Sequence, residues 1–318
     1  MLRPNLAVWR LAWALMCAAL SVSAAAQPAS DTLQTAVNRA MNNQRGTAVV
    51  LDVHSGRVIA SSHLDVAARR VVAPGSSIKP FTLLALLQSG KVNGQTTLMC
   101  KRFVSISGRK LDCSHPPTTE PLGPAEALAY SCNSYFTAVA VRLSPEELQS
   151  GFVQDGFASV TGLSPNEGVG TVSVAQSPQQ VQLQAVGEWG VRVTPLELVK
   201  AYRALALLQV EHNPKLEALF AGLDQSAAYG MGRLAQPASS SIKISIKIAG
   251  KTGTAPAAEG AWTHAWFGGY APAENPQIAL VVFLEKGHGG SDAATVARDI
   301  FTAFAASAGN ELTTGAKR

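Results

Sequence analysis

The stretch that most constrains this chain runs from Ser76 to Ser89 (SSIKPFTLLALLQS). It has helical length and is apolar nearly all round, through Ile78, Phe81, Leu83, Leu84, Ala85, Leu86 and Leu87. A helix with no polar face has to be buried. The break Ala73-Pro74-Gly75 precedes it and Gly90 follows it, glycine being the residue that accepts the left-handed turn past a helix end. Two features are out of keeping with a plain core helix. Lys79 lies one turn after Ser76, and burial of an ammonium needs a partner. Pro80 forfeits a helical hydrogen bond unless it lies in the first turn.

What surrounds such a helix is legible in outline. Thr32 to Asn43 reads as a helix. Thr47–Val53 and Arg57–Ser61 read as a β-hairpin across His54-Ser55-Gly56, glycine supplying the positive φ that tight hairpins use. Near the other end, Ile242 to Ile248 alternates Ile-Lys-Ile-Ser-Ile-Lys-Ile, a period of two that predicts a strand. Thr263–Ala271 and Gln277–Leu284 follow as strands, and Ala293–Ser307 as a closing amphipathic helix. Between about Asn93 and Gly232 the pattern is mostly helix and loop, with helices at Ala125–Tyr130, Ser134–Leu143 and Thr194–Leu208. Two strands near the start and three near the end predict one sheet built from both termini, with a mostly helical inserted region. At 318 residues and 47% hydrophobic, the chain has ample apolar material for a large core.

The first 26 residues stand apart. Arg3 and Arg10 form a basic start, Leu11 to Val22 is apolar and uncharged, and Ala24-Ala25-Ala26 is a small-residue cleavage site. That order predicts a secretory signal peptide, with an uncleaved anchor as the rival reading. The expected product is exported and periplasmic, with a domain over 27–309 and a loose tail over 310–318. Without Arg3 and Arg10 the 26 basic side chains become 24 against 21 acidic ones. So mild a balance, with no basic stripe, argues against nucleic-acid binding. Export also bears on the cysteines. Cys100 and Cys113 flank a short segment turning at Ser107-Gly108, and a disulfide between them is expected in an oxidising compartment. Cys132 is then an unpaired small hydrophobe. The six histidines show no metal-ligand spacing, so neither metal nor cofactor is expected.

Three short motifs carry chemistry: Ser76-Ser77-Ile78-Lys79, Ser131-Cys132-Asn133 and Lys251-Thr252-Gly253. Singly the first two are weak, since the same spacings recur at Ser107/Lys110, Ser240/Lys243 and Ser164/Asn166, but Lys-Thr-Gly occurs once. On a helix, residues three apart share a face, so Lys79 stands beside Ser76. A serine hydroxyl is a poor nucleophile until a base takes its proton. A lysine serves as that base only when its pKa is lowered, by burial or by a nearby cation. Lys251 is the candidate cation if the motifs converge.

In order and context the motifs resemble the penicillin-binding transpeptidases and serine β-lactamases. The flanks extend the resemblance: Pro74-Gly75-Ser76-Ser77-Ile78-Lys79-Pro80-Phe81, Tyr130-Ser131-Cys132-Asn133-Ser134-Tyr135-Phe136, and Gly250-Lys251-Thr252-Gly253-Thr254 with His264 to Pro272. It departs at Gly187-Glu188-Trp189, where the family usually has Gly-Gln-Gly. The resemblance implies an α/β (α+β) fold with a five-stranded antiparallel sheet flanked by helices. It implies Ser76 as nucleophile, Lys79 as base, Ser131 as proton relay and Asn133 as a contact to the substrate amide. Lys251 and the hydroxyls of Thr252 and Thr254 would hold the terminal carboxylate of a D-Ala-D-Ala peptide or a β-lactam. The backbone N–H groups of Ser76 and Thr254, with Gly253 between the two threonines, would form the oxyanion hole. A β-lactamase is one alternative, with Glu167 as the acid nearest a deacylation loop; a non-catalytic β-lactam sensor or scaffold is another. His264, Trp189, Trp262 and Trp266 read as structural.

Overall fold

The computed structural model describes residues 27–238, 246–258 and 260–315. The signal-peptide reading of residues 1–26 lies outside them. The chain opens with helix α1 (Gln27–Ala40), the hairpin β1 (Gly46–Asp52) and β2 (Val58–Ser62), and α2 (Leu64–Arg69). A 3-10 turn, Gly75–Ile78, leads directly into α3 (Lys79–Gln88). The middle holds the hairpin β3 (Phe103–Ile106) and β4 (Arg109–Asp112), then α4 (Pro124–Ala129), α5 (Asn133–Ala140) and α6 (Pro145–Gln154). After β5 (Thr171–Val172), α7 (Pro178–Ala185) and β6 (Val191–Arg192) come α8 (Pro195–Val210) and α9 (Glu217–Ala228). Strands β7 (Ala249–Pro256), β8 (Thr263–Ala271) and β9 (Ile278–Leu284) and helix α10 (Ala294–Gly315) close the fold.

The main sheet is five-stranded, in the order β2-β1-β9-β8-β7, and antiparallel throughout. The two ends of the chain meet inside it, with Val50 opposite Leu280 where β1 pairs β9. Successive side chains point to opposite faces of a strand. Val49 and Leu51 accordingly join the core shared with α3 and α8, while Ala48 and Val50 join the core under α1 and α10. Both faces are therefore covered, and β9 is buried along its whole length. Among the described residues no helix is long and apolar enough to cross a membrane.

One expectation is corrected. The strand expected at Ile242–Ile248 is not the one in the sheet. Residues 242–245 lie outside those described, and 246–248 precede β7 without strand pairing. Pairing is decided by how closely backbones approach, and β7 (AGKTGTAP) carries little apolar alternation for a sequence pattern to detect. A Cβ at Gly250 would stand 2.9 Å from the Gly268 carbonyl of β8, so the close approach selects glycine there. Helix α10 runs past residue 310 as far as Gly315, and residues 316–318 of the expected tail lie outside those described.

Candidate active site

The Pro74-Gly75 break has a steric cause. Gly75 sits at φ 52°, and a Cβ there would lie 2.5 Å from the carbonyl of Thr254 on β7. Of the two serines that follow, Ser77 is buried and its hydroxyl donates to the Pro74 carbonyl at 2.7 Å. Ser76 is half-buried and is the second residue of the turn that feeds α3. Its carbonyl accepts the backbone N–H of Lys79. Pro80 falls in the first turn of α3, where its missing N–H costs nothing.

Lys79 is fully buried. Its Nζ donates to the Ser131 carbonyl at 2.8 Å, to Ser131 Oγ at 3.2 Å and to Asn133 Oδ1 at 2.7 Å. The ammonium thus finds its partners on the second motif. Ser131 holds φ 55°, a left-handed conformation that breaks the chain between α4 and α5. Such a backbone costs a serine about 1–3 kcal/mol and persists where the surroundings over-determine it. Asn133 is fixed from its other side, donating Nδ2–H to the Asp112 carbonyl at 2.8 Å.

The third motif lies within β7, pressed against the turn that carries Ser76. A Cβ on Gly253 would stand 2.5 Å from the Pro74 carbonyl and 2.9 Å from Ser77 N. Lys251 is fully buried and donates to the Thr252 carbonyl at 2.8 Å. Thr254 Oγ1 accepts the Gly289 N–H at 3.0 Å. Burial pulls the Lys79 ammonium from its ordinary 10.5 down to about 8, against the opposing pull of Cys132, Cys113 and Glu188. Lys251 is held well below its usual range, first by burial and then by the charge of Lys79. The three motifs therefore meet, and two lysines share one desolvated centre. Of the two causes the sequence left open for the lowered Lys79 pKa, burial and a nearby cation, desolvation is the main one.

The match with known proteins is extensive. Residues 46–302 fit the model of the penicillin binding protein transpeptidase domain. The chain belongs to the penicillin-binding transpeptidase family. This transpeptidase domain is 23% identical to the peptidoglycan D,D-transpeptidase MrdA of Acinetobacter baumannii, over 85% of this chain and 52% of that protein. It is 26% identical to the peptidoglycan D,D-transpeptidase FtsI of Escherichia coli K12, over 84% and 53%. It thus spans about half the length of these curated relatives. The crystal structure of Pseudomonas aeruginosa PBP2 in complex with WCK 5153 superposes with a TM-score of 0.75 at 22% identity, covering 86% of this chain and 74% of that one. A Helicobacter pylori PBP2, solved as a complex with MreC, gives 0.72 at 20% identity, covering 84% and 61%. These likenesses place the fold of the transpeptidase domain.

Around the motifs the transpeptidase domain adds one residue that motif reading did not single out for a role. Glu188 sits where the chain departs from the family's Gly-Gln-Gly. Its carboxylate lies 3.8 Å from Arg109, with 18% of the side chain exposed. Burial pushes it up, opposed by the charges of Arg109 and Lys79. The departure itself was the available signal. Gly187 beside it is at φ 80°, and a Cβ there would collide with the Gly75 carbonyl, so this loop roofs the Ser76 turn. Glu167 is occupied elsewhere: its carboxylate accepts Thr161 N–H, Thr161 Oγ1–H and Ser164 N–H within its own loop. His264 is buried with Nδ1 against the Glu285 carbonyl at 2.8 Å. Trp266 is core and donates Nε1–H to Ala73, while Trp262 is exposed and Trp189 only partly buried.

The cysteines require correction. No Cys100–Cys113 disulfide forms; Cys100, Cys113 and Cys132 are all free thiols. The sulfurs of Cys113 and Cys132 lie 3.8 Å apart. Nor does the lack of metal-ligand spacing in the sequence survive folding. Cys100, Cys113, His115 and Cys132 bring their donor atoms within 4.8 Å of one another.

Proposed function

We propose that this domain is a serine acyl-transferase of peptidoglycan metabolism, a D,D-transpeptidase that also takes β-lactams covalently on Ser76. One observation carries the reading: a fully buried lysine one turn from a half-exposed serine, its ammonium held on Ser131 and Asn133 and its pKa drawn down to about 8. In its neutral form Lys79 takes the Ser76 hydroxyl proton as Oγ attacks the carbonyl of a D-Ala-D-Ala stem peptide. The Ser76 Oγ–C bond forms and the negative charge passes to the carbonyl oxygen, where the Ser76 and Thr254 N–H groups receive it. Loss of one such donor typically costs about 2.7–4 kcal/mol of barrier. The proton returns through Ser131 to the leaving D-Ala amine as the peptide C–N bond breaks. An amine of a second stem then takes the acyl group and frees Ser76; water in its place gives a carboxypeptidase.

Asn133 orients the substrate amide, and Lys251, Thr252 and Thr254 receive the terminal carboxylate, with Gly253 leaving room for the strand to reach the Ser76 turn. Residues 1–26 direct export to the periplasm, where this substrate lies. An envelope partner is proposed by analogy with the Helicobacter pylori PBP2, whose structure is a complex with MreC.

The test is labelling by a fluorescent penicillin, followed for hours in the purified protein and in Ser76→Ala. A persistent label lost in Ser76→Ala is the expected result. A label that needs Ser76 but turns over in seconds would make the protein a β-lactamase, and absence of label in both would leave a scaffold.

A further inference from the structure

We propose that a cavity at the start of β7 is a binding site for a small organic ammonium ligand with an apolar body. The cavity has a volume of about 360 Å³ and lies between the end of α8, α9 and the paired ends of β7 and β8, where Ala249 faces Tyr270. That volume falls within the range of about 300–1,000 Å³ in which small-molecule sites occur. No residue of the three motifs lines it, so the site does not rest on the acyl-transferase reading. Tyr270 does bear electrostatically on Tyr202, whose hydroxyl donates to the Ser77 carbonyl at 2.9 Å. The cavity thus adjoins a residue that supports the Ser76 turn while standing apart from Ser76 itself.

The groups that face this cavity lack partners. Tyr270 is fully buried, and its hydroxyl has no hydrogen-bond partner among the described residues. Gln209 Oε1, at the end of α8, is likewise buried and unpartnered among them. Buried polar atoms of this kind are uncommon in folded proteins, and each calls for an explanation. The third group is Asp224 on α9. Its carboxyl is pushed up by burial, pulled back by the charge of Lys247 and pushed up again by Glu274, with no hydrogen bond among the causes. Burial, and after it the charge of Asp224, holds the Tyr270 hydroxyl above its usual range, so the carboxylate and the hydroxyl share one corner of the cavity.

These groups select the chemistry of the ligand. A carboxylate and an amide oxygen accept hydrogen bonds, a tyrosine oxygen can accept one as well, and an ammonium offers three N–H donors and no acceptor. The charge around the cavity has the matching sign. Glu217 and Glu274 stand exposed at its rim, and no lysine or arginine lines it. Lys247, whose charge reaches Asp224, lies 3.6 Å from Glu274 and is itself exposed. A metal ion fits less well than an organic cation. The carboxylates of Glu217, Asp224 and Glu274 do not converge as metal ligands would, the cysteine–histidine group being the one such cluster among the described residues. Phe220 and Ala249 are buried and give the cavity an apolar wall for the body of the ligand.

Benzylamine is the probe, with benzyl alcohol as its uncharged counterpart and benzoate as its anionic one. Each is titrated into the purified protein near neutral pH and followed by calorimetry and ligand-observed NMR. Benzylamine should saturate a single site with a Kd in the millimolar range or below, as suits so small a ligand. Benzyl alcohol should bind at least about tenfold more weakly, because it forgoes the charge-assisted contact to Asp224, and benzoate should not bind. Asp224→Asn should weaken benzylamine at least about tenfold, and Tyr270→Phe about threefold or more. Tyr270→Phe removes a hydroxyl on which no other described group depends, so the fold should persist and the loss reads on the ligand alone. No saturable binding of benzylamine, binding of benzoate or benzyl alcohol as tight as that of benzylamine, or benzylamine affinity unchanged in either variant would overturn the site. The wild-type titration with the three probes decides the matter even if Asp224→Asn fails to fold.

Discussion

If Lys79 is the base, acylation must follow its deprotonation, and burial sets where that falls. The side chain is fully buried and its pKa is drawn from 10.5 to about 8. A group whose folded pKa is depressed reaches its neutral form at lower pH, so the reactive fraction grows as pH rises through about 8. That fraction is about 1% at pH 6, 9% at pH 7 and 91% at pH 9 for a pKa of 8. The second-order rate of acylation by a fluorescent penicillin, followed by stopped flow, should therefore climb roughly 90-fold between pH 6 and 9 and then level off. An ordinary lysine would be only about 3% neutral at pH 9, and its profile would still be climbing. Glu188 supplies an internal control, because its carboxylate favours the ammonium form. Glu188→Gln should move the midpoint to lower pH and raise the rate at neutrality. A flat profile from pH 6 to 9, or a midpoint near 10, would refute the assignment of Lys79 as a base tuned by desolvation.

Two further outcomes follow from the packing around that centre. Gly253→Ala places a methyl 2.5 Å from the Pro74 carbonyl and 2.9 Å from Ser77 N. It should push β7 off the Ser76 turn and lower the acylation rate about 100-fold; a wild-type rate in a folded variant would show that the strand does not position the nucleophile. Phe81→Ala removes a side chain that is 1% exposed and meets Phe157 and Tyr202 edge-to-face at 4.9 and 5.4 Å. Denaturant unfolding should show a loss of about 3–5 kcal/mol. The same variant should label more slowly, because Tyr202 hydrogen-bonds the Ser77 carbonyl at 2.9 Å and loses its support.

The features that were legible in the sequence are those in which one local rule dominates. The helix after Pro74-Gly75 was readable because burial forced apolar residues onto every face, and β8 because a strand covered on both sides needs a long run of small and apolar residues. The third motif was readable as letters but not as structure. Gly250 and Gly253 are selected by backbones in contact, and a strand chosen for close approach carries no alternating pattern. The isoleucine-lysine repeat before it has the pattern, yet Ile246 and Ile248 pack into the core shared with α10 and bond the Gln236 side chain through their backbone.

The cysteines show the same limit from the other side. The turn at Ser107-Gly108 does bring the flanks of Cys100 and Cys113 together, as the spacing implied. Two thiols seen alone in an exported chain read as a disulfide. The two further groups are His115, just past the end of β4, and Cys132, from the start of α5. Proximity within the hairpin was a local property and could be inferred. His115, two residues past Cys113, was within reach of the same local reading, whereas Cys132 arrives by tertiary packing. The helix start that delivers Cys132 is the one that delivers Ser131 and Asn133 to Lys79, so the thiol cluster and the candidate active site share a single positioning element. A perturbation of either is expected to be felt in the other.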